Sequence, residues 1–243
     1  MDLTRCSTVL FDAGDTLIEL HPSLKTVLVE FCTDELKTTD PEQRADEFIV
    51  ASEMWEGIQR SKEAKGAPKM ASPDLFKNKY LTGLKTVLPD TRGEELHPLY
   101  EELRNRFKGM EWVAPPDATP VLESLKKNGY TLGVVSNFSP NLPDILEKEG
   151  LLDYFACIVV SSIVRMWKPD PKIMTAAAEE LSVPAEECVY IGDNPFDVQC
   201  SKDAGMRAVW LNRYYTGLPG EISHEPDGII RELGELKRMV SSG

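Results

Sequence analysis

The sequence predicts an α/β fold, in which a parallel sheet carries helices on both faces and an all-helical domain is inserted after the first strand. From about residue 115 onward, short apolar runs alternate with amphipathic helical patterns, which is typical of right-handed βαβ units. Residues 18–113 instead have helical periodicity with little strand character between the helices. A chain of 243 residues suits one main domain with a smaller insert.

Five strands are predicted where apolar runs are bounded by glycine or polar residues. They cover residues 7–11, 130–135, 154–160, 188–191 and 207–211. The helices between the later strands cover residues 117–128, 140–149, 171–181 and 195–204. Glycine follows three of these helices, as a left-handed helix cap favours, at Gly129, Gly150 and Gly205.

The insert is predicted to consist of helices with one apolar face each. These helices cover residues 22–36, 41–60, 73–87 and 94–107. Proline-bearing segments on both sides of the insert indicate domain linkers, so we assign 1–17 and 114–243 to the α/β core domain and 18–113 to a helical cap domain. Open α/β sheets bind ligands at the carboxyl ends of their strands, and an insert after the first strand is expected to act there as a lid.

Charge and cysteine content narrow the range of partners. The chain has 40 acidic and 27 basic residues, a formal net charge of −13, which disfavours nucleic acids and anionic membrane surfaces. A small anionic ligand would need positive charge gathered locally, from a metal, a lysine or helix N-termini. The five cysteines contain no C-x-x-C pair, and the N-terminus resembles no signal peptide, so a cytoplasmic protein without a membrane span is expected.

Polar residues stand at the ends of three predicted strands. Asp12 follows the first strand, Ser136 and Asn137 follow the second, and Asp193 follows the fourth. Each alone is a common turn or cap residue, but parallel strands bring all of them to one edge of the sheet. Lys168 precedes a proline-initiated helix, where a lysine taken alone is usually solvated.

These segments resemble, in order, the four motifs of the haloacid dehalogenase-like hydrolase superfamily. The matching segments are 11–17 (FDAGDTL), 135–137 (VSN), 168–171 (KPDP) and 191–197 (IGDNPFD). The resemblance extends to the helical insert, which is similar to the type-1 cap of that superfamily. It implies a Rossmann-like core and hydrolysis of a small phosphorylated metabolite.

The resemblance also implies catalytic and substrate-binding roles. Asp12 would be the nucleophile that forms an aspartyl-phosphate, dividing one difficult displacement into two easier steps. Ser136 would donate its hydroxyl to the phosphoryl oxygens, with help from the Asn137 amide. Lys168 would add a positive charge that reduces the repulsion between a carboxylate and a phosphate dianion.

A magnesium site is implied by the same motifs, because Mg²⁺ prefers oxygen ligands and bridges to phosphate. Its protein ligands would be the Asp12 carboxylate, the backbone carbonyl of Gly14 and the carboxylate of Asp193, with Asp197 in support. The oligomeric state and the identity of the substrate are left open by the sequence.

One position departs from the pattern of the family's phosphatases. They usually carry a second aspartate two residues after the nucleophile, which protonates the leaving group and then activates water. Gly14 occupies that position here and cannot transfer a proton, an ability typically worth ~10²–10⁴ in rate. The sequence therefore predicts a slow or leaving-group-selective phosphatase, unless Asp15 or the substrate supplies the acid.

Two alternatives stay open. Some relatives without the second aspartate cleave carbon–phosphorus or carbon–halogen bonds, and a phosphonate-cleaving enzyme would need a cap lysine such as Lys62 or Lys65. A catalytically weak, phosphate-binding regulatory protein would also be compatible with Gly14.

Overall fold

The sheet is built from short strands at the spacing that the sequence predicts, with additions at its edge and in the linkers. The computed structural model describes residues 6–64, 72–213 and 224–240. In these residues the strands are β1 (Thr8–Phe11), β2 (Glu19–His21), β3 (Glu111–Val113), β4 (Thr131–Ser136), β5 (Cys157–Val160), β6 (Cys188–Gly192), β7 (Arg207–Leu211) and β8 (Gly228–Ile230).

Helices separate most of these strands. They are α1 (Leu24–Asp34), α2 (Pro41–Ala64), α3 (Ser72–Val87), α4 (Gly93–Phe107), α5 (Ala118–Lys127), α6 (Leu142–Lys148), α7 (Ser161–Val164), α8 (Lys172–Glu180), α9 (Pro195–Asp203) and α10 (Leu236–Val240). Gly129, Gly150 and Gly205 all have positive φ, as the left-handed caps require. None of the helices in the described residues has both the length and the hydropathy needed to cross a membrane.

The main sheet is parallel throughout, in the order β5-β4-β1-β6-β7-β8. Phe11, the last residue of β1, lies opposite Val134 of β4 and Ile191 of β6. The first strand is therefore central, and the residues that follow β1, β4 and β6 emerge at the same edge.

Both faces of this sheet are buried, because alternate residues of each strand point to opposite sides. Val9 and Phe11 belong to one apolar core, which α5 and α6 cover, whereas Leu10 belongs to a second core covered by α8. The predicted α/β fold with helices on both faces is confirmed.

The third predicted strand begins later than expected. Residues Leu152–Tyr154 form a 3₁₀ turn, and β5 starts only at Cys157. The backbone N–H groups of Tyr154 and Phe155 donate to the carbonyl oxygens of Leu151 and Leu152, so they are not available to a neighbouring strand. The strand β8 was not predicted, because its three residues at the sheet edge are too few to produce an alternating pattern.

Contacts divide the chain into two compact units, residues 1–19 with 112–243, and residues 20–111. The second unit contains α1 to α4, whose apolar faces surround its own core, including Phe31, Phe48, Leu84 and Leu103. The chain passes between the units through β2 and β3, which pair as a separate two-stranded sheet.

Candidate active site

Asp12 lies at the centre of the carboxyl edge of the sheet. Its backbone N–H donates to the Ile191 carbonyl oxygen at 2.8 Å, which continues the β1–β6 pairing one residue beyond the strand. The residue is only 8% exposed. Pairing within the sheet therefore fixes the backbone from which the Asp12 side chain extends.

The carboxylate of Asp197 is positioned by the start of α9. Asn194 caps the helix by accepting from the Phe196 N–H at 2.9 Å, and Asp197 Oδ2 accepts from the Asn194 N–H at 3.1 Å. This reciprocal capping box holds Asp197 against the end of β6. A Cβ atom at Gly192 would lie 2.2 Å from Asp197 Oδ2, so the close approach requires glycine there.

Asp12, Asp193 and Asp197 come together around a common point. Each offers a carboxylate oxygen, and these oxygens lie within 4.8 Å of one another. The Trp210 indole N–H donates to the Asp193 carbonyl oxygen at 2.7 Å and so fixes the backbone of the turn. An all-oxygen set of this size suits a hard divalent cation.

Lys168 is the cation that contacts this group. Its ammonium nitrogen lies 2.8 Å from Asp12 Oδ1 and 2.7 Å from Asp197 Oδ1, and it donates to the Tyr190 hydroxyl at 2.9 Å. The residue is 6% exposed. Burial alone would lower the pKa of Lys168, but the Asp12 and Asp197 carboxylates outweigh it and raise that pKa, so the ammonium stays charged.

Negative charge exceeds positive charge at this site. Burial, with the nearby charges of Asp12 and Asp197, raises the pKa of Asp193 well above its ordinary value. Burial also raises the pKa of Asp197 to about 6, although Lys168 opposes this shift. A divalent cation would relieve this surplus of negative charge.

Ser136 is the last residue of β4 and Asn137 follows it at the same edge, and Ser136 is 2% exposed. The Asn137 side chain donates to the Lys168 carbonyl oxygen at 3.0 Å and accepts from the Lys168 N–H at 2.9 Å. This side-chain amide therefore positions Lys168, a use that the sequence analysis did not foresee.

The loop after Asp12 turns back immediately. The N–H groups of Leu17 and Ile18 donate to the Ala13 carbonyl oxygen at 2.9 and 3.0 Å. Asp15 has a left-handed φ of 53° and an exposed side chain, and its charge is among those that raise the pKa of Asp193. It lies outside the group of three carboxylates with mutually close oxygens.

Gly14 faces an aromatic side chain. A Cβ atom built on Gly14 would lie 3.7 Å from Trp112 Cη2 and 3.9 Å from Cζ3, which is ordinary van der Waals contact. Trp112 in turn packs against Phe138, with ring centroids 5.1 Å apart. Sequence reasoning missed Trp112, because a linker residue 98 positions away carries no signal of this contact.

Tyr190 is the other residue that sequence reasoning missed. Its hydroxyl accepts from Lys168 and donates to the Val135 carbonyl oxygen at 2.6 Å, so it links the lysine to the end of β4. The sequence does contain a signal for this role, because Tyr190 stands in an otherwise apolar strand and a buried hydroxyl needs a hydrogen-bond partner.

The parallel sheet and the buried acids at its carboxyl edge define an α/β protein with a candidate active site at the strand ends. The chain belongs to the haloacid dehalogenase-like hydrolase family, whose pattern matches residues 6–205.

The similar proteins carry the names of different activities, including phosphatases and dehalogenases. The haloacid dehalogenase-like hydrolase domain-containing protein 3 of Danio rerio is 38% identical over 143 residues, which is 58% of this chain and 59% of that protein. The chain thus spans about three-fifths of that relative's length. A phosphoglycolate phosphatase of Nitrosococcus oceani is 25% identical over 241 residues, 96% of each chain. The L-2-haloacid dehalogenase RSc1362 has a similar fold, with a TM-score of 0.71 at 20% identity over 98% of this chain and 99% of that one.

Proposed function

We propose that this chain is a Mg²⁺-dependent phosphatase that hydrolyses small phosphate monoesters through an aspartyl-phosphate on Asp12. Gly14 makes the hydrolysis slow or selective for acidic leaving groups. The cluster of Asp12, Asp193 and Asp197 around Lys168 carries this proposal. The phosphoglycolate phosphatase that aligns over 96% of both chains supports a phosphate ester as the substrate.

The donor set fits Mg²⁺. It consists of oxygen atoms, and it has more negative charge than Lys168 can balance. Asp12, Asp193 and the Gly14 carbonyl would hold the ion, and Asp197 would support it. When bound, Mg²⁺ supplies positive charge that lets an anionic nucleophile approach a phosphoryl dianion.

The first chemical step uses Asp12 as the nucleophile. A carboxylate oxygen attacks phosphorus, the bond from phosphorus to the leaving oxygen breaks, and that oxygen keeps the electron pair. Lys168 lies beside the nucleophile and reduces repulsion, while Ser136 donates to a phosphoryl oxygen. Because Gly14 carries no acid, the leaving group departs as an anion or takes a proton from water or from the substrate itself.

The second step returns the enzyme to its starting state. Water attacks the phosphorus of the aspartyl-phosphate, the acyl oxygen–phosphorus bond breaks, and inorganic phosphate leaves while the Asp12 carboxylate is regenerated. The proton of the attacking water passes to phosphate or solvent. Without a positioned base this step is also slow, so acyl-phosphate accumulation is expected with good leaving groups.

We further propose that the helical unit of residues 20–111 is the cap domain of this enzyme and contributes its substrate specificity. Its residues share one core with no counterpart of the Asp12 group among the described residues, so chemistry is assigned to the α/β unit alone.

The direct test is turnover across phosphate esters of graded leaving-group acidity, with and without Mg²⁺. We expect Mg²⁺-dependent hydrolysis whose rate rises steeply as the leaving group becomes more acidic. Asp12→Asn should abolish turnover, while Asp153→Asn, an exposed aspartate in the turn before β5, should not change it. A flat response to leaving-group acidity, or an active Asp12→Asn variant, would contradict the proposal.

Gly14 favours a second candidate, a regulatory protein that binds phosphate without turnover. A side chain fits at this position at ordinary contact distance from Trp112, so Gly14→Asp is a practical discriminator. For a phosphatase that lacks only its acid, we expect Gly14→Asp to raise turnover of alkyl phosphates by about 10²–10⁴. Gly14→Asn is the matched control that cannot transfer a proton. No gain, together with tight phosphate binding, would support the regulatory role.

Other bond types are less well supported by the residues at the site. Carbon–halogen cleavage has no use for three clustered carboxylates that attract a cation. Phosphonate cleavage would need an imine-forming lysine; Lys62 is exposed in the last turn of α2, and Lys65 lies outside the described residues. Borohydride trapping of a substrate imine would support the phosphonate reaction, and its absence would support phosphate esters.

A further inference from the structure

We propose that Trp112 and Phe138 form a wall that binds a planar aromatic leaving group, so that the preferred substrates are aryl phosphates. This inference rests on the proposed phosphatase function and names the substrate class of the same site. It starts from the position of Trp112 beside Gly14, the residue at which the general acid is missing.

The contact has a definite orientation. The atoms nearest to a Cβ on Gly14 are Trp112 Cη2 and Cζ3, at 3.7 and 3.9 Å, and both belong to the benzene edge of the indole. The direction in which an acid at position 14 would extend is therefore bordered by ring carbon. Carbon atoms cannot supply a proton, so this neighbour does not replace the missing acid.

Phe138 completes the wall. Its ring centroid lies 5.1 Å from that of Trp112 and the ring planes are inclined by 61°, so the two rings form a corner. Both rings are half-buried and pack against the apolar core beneath. Gly14 is two residues beyond Asp12, and Phe138 is two residues beyond Ser136. The corner thus adjoins the two segments that carry the nucleophile and the phosphoryl donor.

A planar aromatic leaving group suits both the missing acid at Gly14 and the aromatic corner formed by Trp112 and Phe138. Phenols are acidic enough to depart as anions, so hydrolysis of their phosphates does not need the acid that Gly14 lacks. The aryl ring can pack against the indole and phenyl rings, and edge-to-face or offset contacts of this kind contribute about 2- to 13-fold in affinity beyond apolar burial. An alkyl leaving group would gain neither advantage.

The test measures binding in a variant that does not turn over. In Asp12→Asn with Mg²⁺, we compare the Kd of 4-nitrophenyl phosphate with that of acetyl phosphate, which has a small, acidic, non-aromatic leaving group. Adding Trp112→Leu should weaken binding of the aryl ester about tenfold and change the Kd of acetyl phosphate by less than about twofold. Trp112→Phe should retain most of the aryl affinity, because it keeps an aromatic ring.

A matched control separates packing from recognition. Phe155→Leu removes a half-buried ring from the same core at the amino end of β5, away from the carboxyl edge, and should leave the ratio of the two Kd values unchanged. If Trp112→Leu is poorly folded, Phe138→Leu provides the same comparison.

The outcomes are distinct from those of the proposed function. Equal weakening of both ligands, or no change in either, in both Trp112→Leu and Phe138→Leu would overturn the aromatic wall while leaving the phosphatase proposal intact. Turnover by Asp12→Asn would instead overturn the phosphatase proposal, whatever the binding ratio is. A selective loss of aryl affinity in either wall variant supports the wall.

Discussion

Each unit of the molecule contains a shielded lysine between two carboxylates, and the two lysines have different consequences. In the helical unit, Lys79 lies 2.5 Å from Glu53 Oε1 and 2.8 Å from Glu56 Oε2, with 14% of its side chain exposed. In the α/β unit, Lys168 has 6% exposure and contacts Asp12 and Asp197 at similar distances. In both cases burial would lower the lysine pKa, but the carboxylates outweigh it and raise that pKa.

The two lysines differ in how exposed their carboxylate partners are. The Glu53 and Glu56 side chains are 46% and 28% exposed, so water solvates them and the ion pairs tie α2 to α3. The Asp12 and Asp197 side chains are 12% and 3% exposed, and Asp193 adds a third charge to the group. A lysine between two acids therefore indicates function only where burial and a surplus of acids create a demand for another cation.

The largest expected difference is in turnover. Lys168→Met should lower kcat/KM by about 10²–10³, because it removes a preorganised charge next to the nucleophile. Lys79→Met should change kcat/KM by less than about threefold and act mainly on stability. Steady-state kinetics of both variants with 4-nitrophenyl phosphate check this contrast. Similar losses in the two variants would remove the distinction between the lysines.

Binding of Mg²⁺ should stabilise the folded protein, and this stabilisation should depend on the acidic cluster of the α/β unit and not on the glutamates around Lys79. At about 100 times its Kd, Mg²⁺ is expected to add about 2.7 kcal/mol to the free energy of unfolding. That corresponds to a rise in Tm of roughly 5–10 °C for a protein of this size. Asp193→Asn should remove most of the rise, and Glu53→Gln should leave it unchanged. Thermal scans that show an equal rise in both variants would refute the assignment of the site.

The pH dependence of stability should differ in sign from that of ordinary surface carboxylates. Folding raises the pKa of Asp197 from 3.8 to about 6, so between these values the folded state binds more protons than the unfolded state. In metal-free protein, the contribution of Asp197 to stability should therefore fall, by up to about 3 kcal/mol, as the pH rises from 4 to 6. Urea unfolding of the wild type and Asp197→Asn across this range isolates the effect. If the free energy of unfolding of the wild type rose with pH relative to that of Asp197→Asn, the prediction would be contradicted.

The smallest expected effect is the loss of stability on removing the Tyr190 hydroxyl, which accepts a hydrogen bond from Lys168. Tyr190→Phe leaves one Lys168 N–H and the Val135 carbonyl without their partner, which should destabilise the protein by roughly 1–2 kcal/mol. Tyr154→Phe removes only a 3.5 Å contact to Glu123 at the surface, and should change stability by less than about 0.5 kcal/mol. Equal effects in denaturant titrations would show that the buried hydroxyl does not support the lysine.

The fold was predictable where periodicity was long enough to read. Strands of four or more residues and the longer helices were found, and glycine marked helix ends correctly, whereas the short helices α7 and α10 were not predicted. The short strands β2, β3 and β8 were missed, because three residues cannot establish an alternating pattern. The start of β5 was misplaced because apolar residues in a 3₁₀ turn resemble a continuing strand.

The site was predictable to a different degree. The predicted strand ends were enough to expect Asp12 and Asp193 at one edge, and the resemblance to the family added Lys168. Asp12 and Asp193 do meet there, and Lys168 contacts Asp12. The clamp formed by the Asn137 side chain depends on how two loops meet, and the Trp112 contact depends on the path of a linker. Neither arrangement leaves a pattern in the local sequence.

By itself the sequence determined the order of the longer strands and helices, the acids at the strand ends and the absence of an acid at Gly14. Those features depend on local periodicity and residue type, which can be read along the chain. Only the tertiary structure decided that the three carboxylates outnumber one buried ammonium, and that an indole edge borders the place of the missing acid. Both results depend on distances between segments far apart in the chain, and the burial that gives them their energetic weight exists only once the core has packed.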